Sequence, residues 1–440
     1  DLRMSRGLGD VYKRQVLELN GARQVGKTFI LDKFARENYK RYFYINMMQT
    51  SGKEFVECYY AATSWKPGEK RIERPLQKTF ELFDETFVDD KNTIVVIDEI
   101  QESAEVYSMI RQFARDFSCH FVVTGSYLGK TLSKEYFLPA GDIDTMVLDT
   151  LSYEEFLGTV GLRNVYDNLD LYGQGKQEEY EELKKWYDIY IQIGGYPAVV
   201  KCYLETKDME KCKEELANII RIFVNESERY FNDVLEVNLF EQLFPSIAQS
   251  MIKESKGSSD RISELSKIIF KDESDRITKK SVNQAIAWLY RSHIIGYCDR
   301  ISECNLMDVS YHSRFYFRDI GVARHFLRIA GADQATVEGI INENFVYFYL
   351  ERLIRERKLA GTSPAFGVYK GGEIDFFVRS VENDKDYAIE VKSGKNIGKT
   401  AKDGKADYLY LLKGDTHGGI VDKKKYTVPI YLMGRITFVD

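Results

Sequence analysis

Eight residues, Gly21-Ala22-Arg23-Gln24-Val25-Gly26-Lys27-Thr28, constrain this chain more than any other stretch. They match the phosphate-loop pattern G-x-x-x-x-G-K-[ST] and sit in the context it needs. Val16-Leu17-Glu18-Leu19-Asn20 ahead of them reads as a short strand. Phe29-Ile30-Leu31-Asp32-Lys33-Phe34-Ala35 behind them reads as the first turns of a helix. The glycines let backbone N–H groups converge on phosphate oxygens, and the helix N-terminus adds partial positive charge. The expected ligand is ATP, cradled by residues 21–28. Lys27 would reach the outer phosphates and Thr28 would offer its hydroxyl to Mg²⁺.

A second segment completes such a site. Thr93-Ile94-Val95-Val96-Ile97-Asp98-Glu99 is a β-branched run ending in two carboxylates. It reads as a strand buried on both faces of a parallel sheet, whose C-terminal edge is where ligands bind. Asp98 is the expected Mg²⁺ ligand and Glu99 the group that polarises the attacking water. The plainer alternative is a buried strand capped by two solvated acids. Phe121-Val122-Val123-Thr124-Gly125-Ser126 reads as a third strand. Either Thr124 or Ser126 would sense the terminal phosphate, or the segment is an ordinary strand exit. Residues 108–117 look helical, with Arg111 and Arg115 one turn apart. One of them would act as an arginine finger, or both lie on a solvated helix face.

At 440 residues, 44% hydrophobic and 30% charged, the chain has an ordinary soluble composition. Its length predicts roughly two to four domains. No apolar run approaches the roughly 20 residues needed to span a bilayer. No signal peptide is evident, so a membrane is not an expected partner. Cys58, Cys119, Cys202, Cys212, Cys298 and Cys304 form no C-x-x-C pair and read as free thiols of a cytoplasmic protein. The net charge of −6 argues against bulk nucleic-acid coating. Residues 151–240 hold 10 Lys and Arg against 18 Asp and Glu, a net of −8, whereas 241–330 hold 14 against 11, a net of +3. The second stretch is the better candidate to meet nucleic acid.

Residues 1–15 read as a non-native or disordered leader and are set aside. Residues 16–150 alternate strands and helices, as an α/β nucleotide-binding core does. Further strands are expected over 42–46 and 145–149. Residues 151–238 read as a helical, acidic segment interrupted by a turn at Gly194-Gly195-Tyr196-Pro197. Residues 239–330 read as a winged helix. Helices are expected over 241–252, 261–270 and 279–295, the last capped by Thr278, then a β-ribbon from 295–298 and 315–317. The third helix buries Val282, Ala285, Ile286 and Leu289 and presents Lys279, Lys280, Asn283, Gln284 and Arg291. Those groups suit double-stranded DNA in a major groove, or the domain serves only for packing.

Residues 331–440 carry a second constellation. Ile374-Asp375-Phe376-Phe377-Val378 and Ala388-Ile389-Glu390-Val391-Lys392 read as strands. Period two puts Glu390 and Lys392 on one side, where Asp375 can face them. Asp followed by Glu-x-Lys is a metal-dependent nuclease pattern. The carboxylates would hold a second Mg²⁺ and Lys392 would position water or steady the transition state. Glu343, on an expected helix, would be a further metal ligand. Otherwise the triplet is a salt-bridge cluster in a docking module.

In their order, these segments resemble bacterial and archaeal AAA-type ATP-binding proteins with a C-terminal domain of unknown function, itself similar to restriction-endonuclease folds. Further matching segments are Ile97-Asp98-Glu99-Ile100-Gln101, Leu151-Ser152-Tyr153-Glu154-Glu155-Phe156 and Glu343-Asn344-Phe345-Val346. The resemblance implies a P-loop ATPase core, a helical segment, a winged helix and a nuclease-like tail. A nucleotide-driven switch acting with a protein partner or a second copy is the other expectation it leaves open. Where the family shows Ala-Gly-Arg, this chain has Ala140-Gly141-Asp142. Arg111 or Arg115 would then have to substitute, or hydrolysis would be slow.

Overall fold

The computed structural model describes residues 16–64, 72–126, 141–231, 239–252, 279–369, 372–392 and 406–439. The leader over 1–15, the helix over 261–270 and the cap Thr278 lie outside them. The chain divides into two compact units, one reaching Asp149 (with Arg291–His293) and the other comprising the rest from Thr150. Among the described residues no helix is long and apolar enough to cross a membrane.

The first unit runs β1 (Val16–Asn20), α1 (Lys27–Asn38), β2 (Arg41–Asn46), α2 (Thr50–Thr63), α3 (Pro75–Phe83) and β3 (Thr93–Asp98). A 3₁₀ turn, α4 (Ala104–Ser108), α5 (Ile110–Asp116), β4 (His120–Thr124) and β5 (Ile143–Val147) follow. The strands form one parallel sheet in the order β2-β3-β4-β1-β5. Alternation along the β-branched runs supplies both faces. Val95 and Ile97 pack with Phe43, Ile45, Phe121 and Val123, while Ile94 and Val96 pack with Leu17, Leu19, Ile30 and Leu31. The helix expected over 108–117 is α5, and α4 precedes it across Met109.

The second unit opens with α6 (Tyr153–Thr159), α7 (Arg163–Asn168), α8 (Gln177–Ile193), α9 (Pro197–Thr206), α10 (Met209–Phe231), α11 (Leu239–Ile252) and α12 (Lys279–Arg291). Next come β6 (Ile295–Ser302), β7 (Val309–Phe317), α13 (Ile320–Ile329), α14 (Gln334–Arg355), β8 (Ala365–Tyr369) and β9 (Gly372–Ile374). Last are β10 (Phe376–Arg379), β11 (Asp386–Lys392), β12 (Tyr408–Lys413), β13 (Gly419–Asp422) and β14 (Lys425–Pro429). The four-stranded sheet is β7-β6-β8-β9 and the five-stranded one β10-β11-β12-β14-β13, both mixed. In α12, Val282, Ala285, Ile286 and Leu289 are buried, whereas Lys280, Asn283, Gln284 and Arg291 are exposed.

Two expectations need correcting. The ribbon β6–β7 forms, but β6 also pairs in parallel with β8, Asp299 opposite Ala365. It is therefore part of a sheet that crosses the boundary expected at residue 330, not a free wing. Nor are 151–238 and 331–440 separate bodies. Tyr187 donates to Asn342 Oδ1 at 2.8 Å, and Tyr431 donates to the Tyr180 carbonyl at 3.1 Å.

The segment Leu151-Ser152-Tyr153-Glu154-Glu155-Phe156 explains part of that union. Ser152 and Glu155 close a capping box at the start of α6. Tyr153 and Phe156 are fully buried. Glu154, 2% exposed, accepts from Arg352 Nη1 at 2.7 Å and from the Tyr349 hydroxyl on α14. Burial raises the Glu154 carboxyl, yet the Arg352 charge and the hydrogen bonds from Tyr349 and Arg352 together outweigh it and hold it below its ordinary value. Gly195 lies against the same segment, where a Cβ would stand 2.2 Å from the Leu151 carbonyl oxygen. Glu154→Ala strands a buried guanidinium and should cost about 3–5 kcal/mol in denaturant unfolding. Arg352→Met added to it should recover part of that loss.

Candidate functional site

The phosphate loop leaves β1 at the C-terminal edge of the parallel sheet. Gly21 has φ 144, and a Cβ there would meet the Leu148 carbonyl oxygen at 2.2 Å. Gly26, at φ 93, caps α1 in a left-handed conformation that favours glycine. Ala22 and Val25 are buried beneath the loop, and Gln24 also has positive φ. Arg23 is half-buried. Lys27, 7% exposed, donates from Nζ to the Gly21 and Ala22 carbonyls, each at 2.8 Å. Burial pushes its ammonium down to about 8 against the pull of Glu99 and Asp98.

Thr28 Oγ1 donates to Asp98 Oδ2 at 2.9 Å, so the loop and the acidic strand meet. Asp98 Oδ1 accepts from Glu99 N at 2.8 Å. The Tyr44 hydroxyl donates to Asp98 Oδ2 at 2.7 Å. A hydroxyl facing a carboxylate, beside a lysine on a glycine loop, fits a phosphate-bound Mg²⁺. Glu99 leaves the strand at φ 52. Its Oε2 accepts from Gln101 Nε2 at 2.6 Å, and its Oε1 accepts from Ser126 Oγ at 3.2 Å. Thr124 instead donates to the Leu19 carbonyl at 2.8 Å and is fully buried. Of the two expected sensors, Ser126 lies beside the acid and Thr124 ties β4 to β1. Sequence reasoning assigned no role to Tyr44 or Gln101. Period-two spacing along β2 and the Gln101 in the acidic motif were the signals at hand.

Arg111 and Arg115 stand elsewhere. Arg111 Nε lies 3.1 Å from Asp142 Oδ2, and Arg115 Nε lies 3.0 Å from Asp142 Oδ1. The Asp142 carbonyl accepts from Val16 N, at the start of β1. The cluster therefore sits at the N-terminal edge of the sheet, a strand length of roughly 13 Å from the loop. The hydrogen bond from Arg115 holds the Asp142 carboxyl below its ordinary value. Within this unit both arginines are engaged by Asp142, the residue that stands where the family shows Arg.

In the second unit, the strand expected over 374–378 breaks at Asp375. β9 ends one sheet before it and β10 begins the other after it. Asp375 Oδ2 accepts from Val391 N at 2.7 Å. Lys392 Nζ lies 2.8 Å from Glu390 Oε2 and 3.8 Å from Asp375 Oδ2. Burial, then the Glu390 charge, pushes the Asp375 carboxyl up to about 7. Glu390 Oε1 is buried without a hydrogen-bond partner among the described residues. The orphaned oxygen and raised carboxyl fit one divalent cation completed by water.

The expected three-carboxylate set is not assembled. Among the described residues no three His, Cys, Asp or Glu side chains could hold a metal together. Glu343, on α14, accepts from the Tyr316 hydroxyl at 3.4 Å. It lines a shallow pocket with Arg314 and Ser250.

Residues 13–157 match the family model of the AAA domain and carry such a domain. Residues 184–333 match a domain of unknown function (DUF8612). No curated protein matches the chain. Similar solved structures include the Aeropyrum pernix ORC1 protein in complex with DNA, 13% identical over 78% of this chain and 91% of that one, with a TM-score of 0.28. The Aeropyrum pernix ORC2 protein, in its ADPNP-ADP complexes, is 12% identical over 77% and 91%, with a TM-score of 0.32. A mutant of Thermotoga maritima RuvB is 12% identical over 71% and 89%, with a TM-score of 0.26. Likenesses this distant say nothing of substrate or partner.

The carboxylate pair has a pH signature. Asp375 titrates higher folded than unfolded, so its contribution is fully present below the unfolded value near 4 and is lost as pH rises through about 7. Asp375→Asn should flatten the fall in stability between about pH 4 and 7. Urea unfolding across that window measures it, and an unaltered slope would show that the acid does not carry it.

Proposed function

We propose that the chain binds ATP with Mg²⁺ at residues 21–28 and hydrolyses it. The carrying observation is the Thr28–Asp98 hydrogen bond at 2.9 Å, which joins the phosphate loop to the acidic strand. Bound Mg²⁺ would neutralise phosphate charge. Lys27 exchanges the Gly21 and Ala22 carbonyls for phosphate oxygens, and the loop N–H groups bind the rest. Glu99 accepts hydrogen bonds from Ser126 and Gln101, which hold its carboxylate where it can polarise a water. Nucleotide state is coupled to double-stranded DNA, engaged by the exposed face of α12. The Asp375–Glu390–Lys392 cluster would supply metal-dependent cleavage, with Asp375 and Glu390 the residues that would hold the cation.

A specific observation favours a second reading. With Arg111 and Arg115 engaged by Asp142 at the opposite sheet edge, hydrolysis awaits an arginine from a second copy or another protein. The chain is then a nucleotide-gated switch with slow turnover and a silent tail.

ATP hydrolysis with and without double-stranded DNA, in wild type and Glu99→Gln, separates these readings. Turnover near ~1 s⁻¹ that DNA stimulates and Glu99→Gln abolishes supports the ATPase. Binding without turnover supports the switch. Lys27→Ala should abolish ATP binding, and unchanged affinity would remove the loop from the site.

A further inference from the structure

Asp98 receives a hydrogen bond that the phosphate-loop pattern does not predict. β2 and β3 run in parallel with Asn46 opposite Asp98 and Tyr44 opposite Val96. Side chains two apart share a face, so Tyr44, Asn46 and Asp98 stand together on the side of the sheet that α1 covers. The Tyr44 hydroxyl lies 2.7 Å from Asp98 Oδ2. Asn46 Nδ2 lies 3.2 Å from the same hydroxyl.

The proton positions in this chain follow from its far end. Met48 N can only donate, and it lies 2.9 Å from Asn46 Oδ1. That fixes which end of the amide is oxygen and turns Nδ2 toward Tyr44. The phenol oxygen then accepts from Asn46, so its single proton is free to point at Asp98. Thr28 donates to the same carboxylate oxygen, which leaves the threonine lone pairs for a cation. Asn46 is 7% exposed, so its links are shielded from competing water.

We propose that Tyr44, oriented by Asn46, is a positioning residue that holds the Asp98 carboxylate for the magnesium of bound nucleotide. This rests on the nucleotide-binding reading of the same site. The phenol touches neither nucleotide nor the reacting atoms in this role. It fixes the rotation of the carboxylate and disperses part of its charge. Partners of this kind, one step removed from a metal, commonly carry about 10–100-fold in metal affinity.

Tyr44→Phe removes the hydroxyl and keeps the ring. The test is the binding of a fluorescent ATP analogue, titrated with Mg²⁺ and repeated with chelator, beside thermal unfolding. The expected result is a Mg²⁺ requirement raised about tenfold or more. Nucleotide affinity in chelator and the melting temperature should be unchanged. Asn46→Asp, which replaces the donating amide, should shift the requirement in the same direction. A Mg²⁺ curve for Tyr44→Phe that overlays wild type overturns the inference while leaving the nucleotide site intact. A melting loss without a Mg²⁺ shift also overturns it, since the phenol is then only structural. Wild type that binds no nucleotide at any Mg²⁺ concentration overturns the nucleotide site and this inference together.

Discussion

Thr28 opens α1, the helix after β1, and Asp98 ends β3, a strand that does not neighbour β1, yet their side chains meet. β4 lies between β1 and β3, and every neighbouring pair is parallel. Parallel alignment puts all the strand exits on one edge, so the loop after β1, the acids after β3 and Ser126 after β4 share it. Helix α1, crossing from β1 to β2, brings Thr28 onto the face that carries Asp98. The remaining contacts of the first unit depend on this alignment. A slip of one residue in the β3 register would turn Asp98 onto the apolar face that packs Val95 and Ile97.

The second unit is held by a different means. Tyr153, Tyr166, Tyr187 and Tyr349 are buried, and three of them donate their hydroxyls far along the chain: Tyr153 to the Leu183 carbonyl, Tyr187 to the Asn342 amide oxygen and Tyr349 to the Glu154 carboxylate. A buried tyrosine that finds a partner contributes apolar area and direction at once. That is how residues 150–230 and 331–439 become one body despite their separation in sequence.

Local features were legible in the sequence, and long-range ones were not. The phosphate loop and the runs at Val16, Thr93 and Phe121 announce themselves because a buried parallel strand is apolar throughout. The buried stripe of α12 was readable from Val282, Ala285, Ile286 and Leu289 because helical spacing alone sets it. The role of Tyr44 was hidden because it depends on the β2–β3 register. Arg111, Arg115 and Asp142 read as separate features since nothing in the chain says that α5 ends beside the start of β5. The break at Asp375 was hidden because Ile374 and Phe376-Phe377-Val378 read as one apolar run around a single acid.

That break changes what residues 331–439 can be by themselves. Asp375 is the joint between two sheets, and one of those sheets is built around β6, which precedes residue 303. A fragment beginning at 331 would strip β8 of its parallel partner and leave a bare strand edge in the sheet that ends at Ile374. The geometry between Asp375 and Glu390 is thus set partly by a hairpin far upstream in the chain. Whatever chemistry the tail performs belongs to the whole unit from Thr150 onward, and cutting there would yield a sticky, misaligned remnant rather than a module.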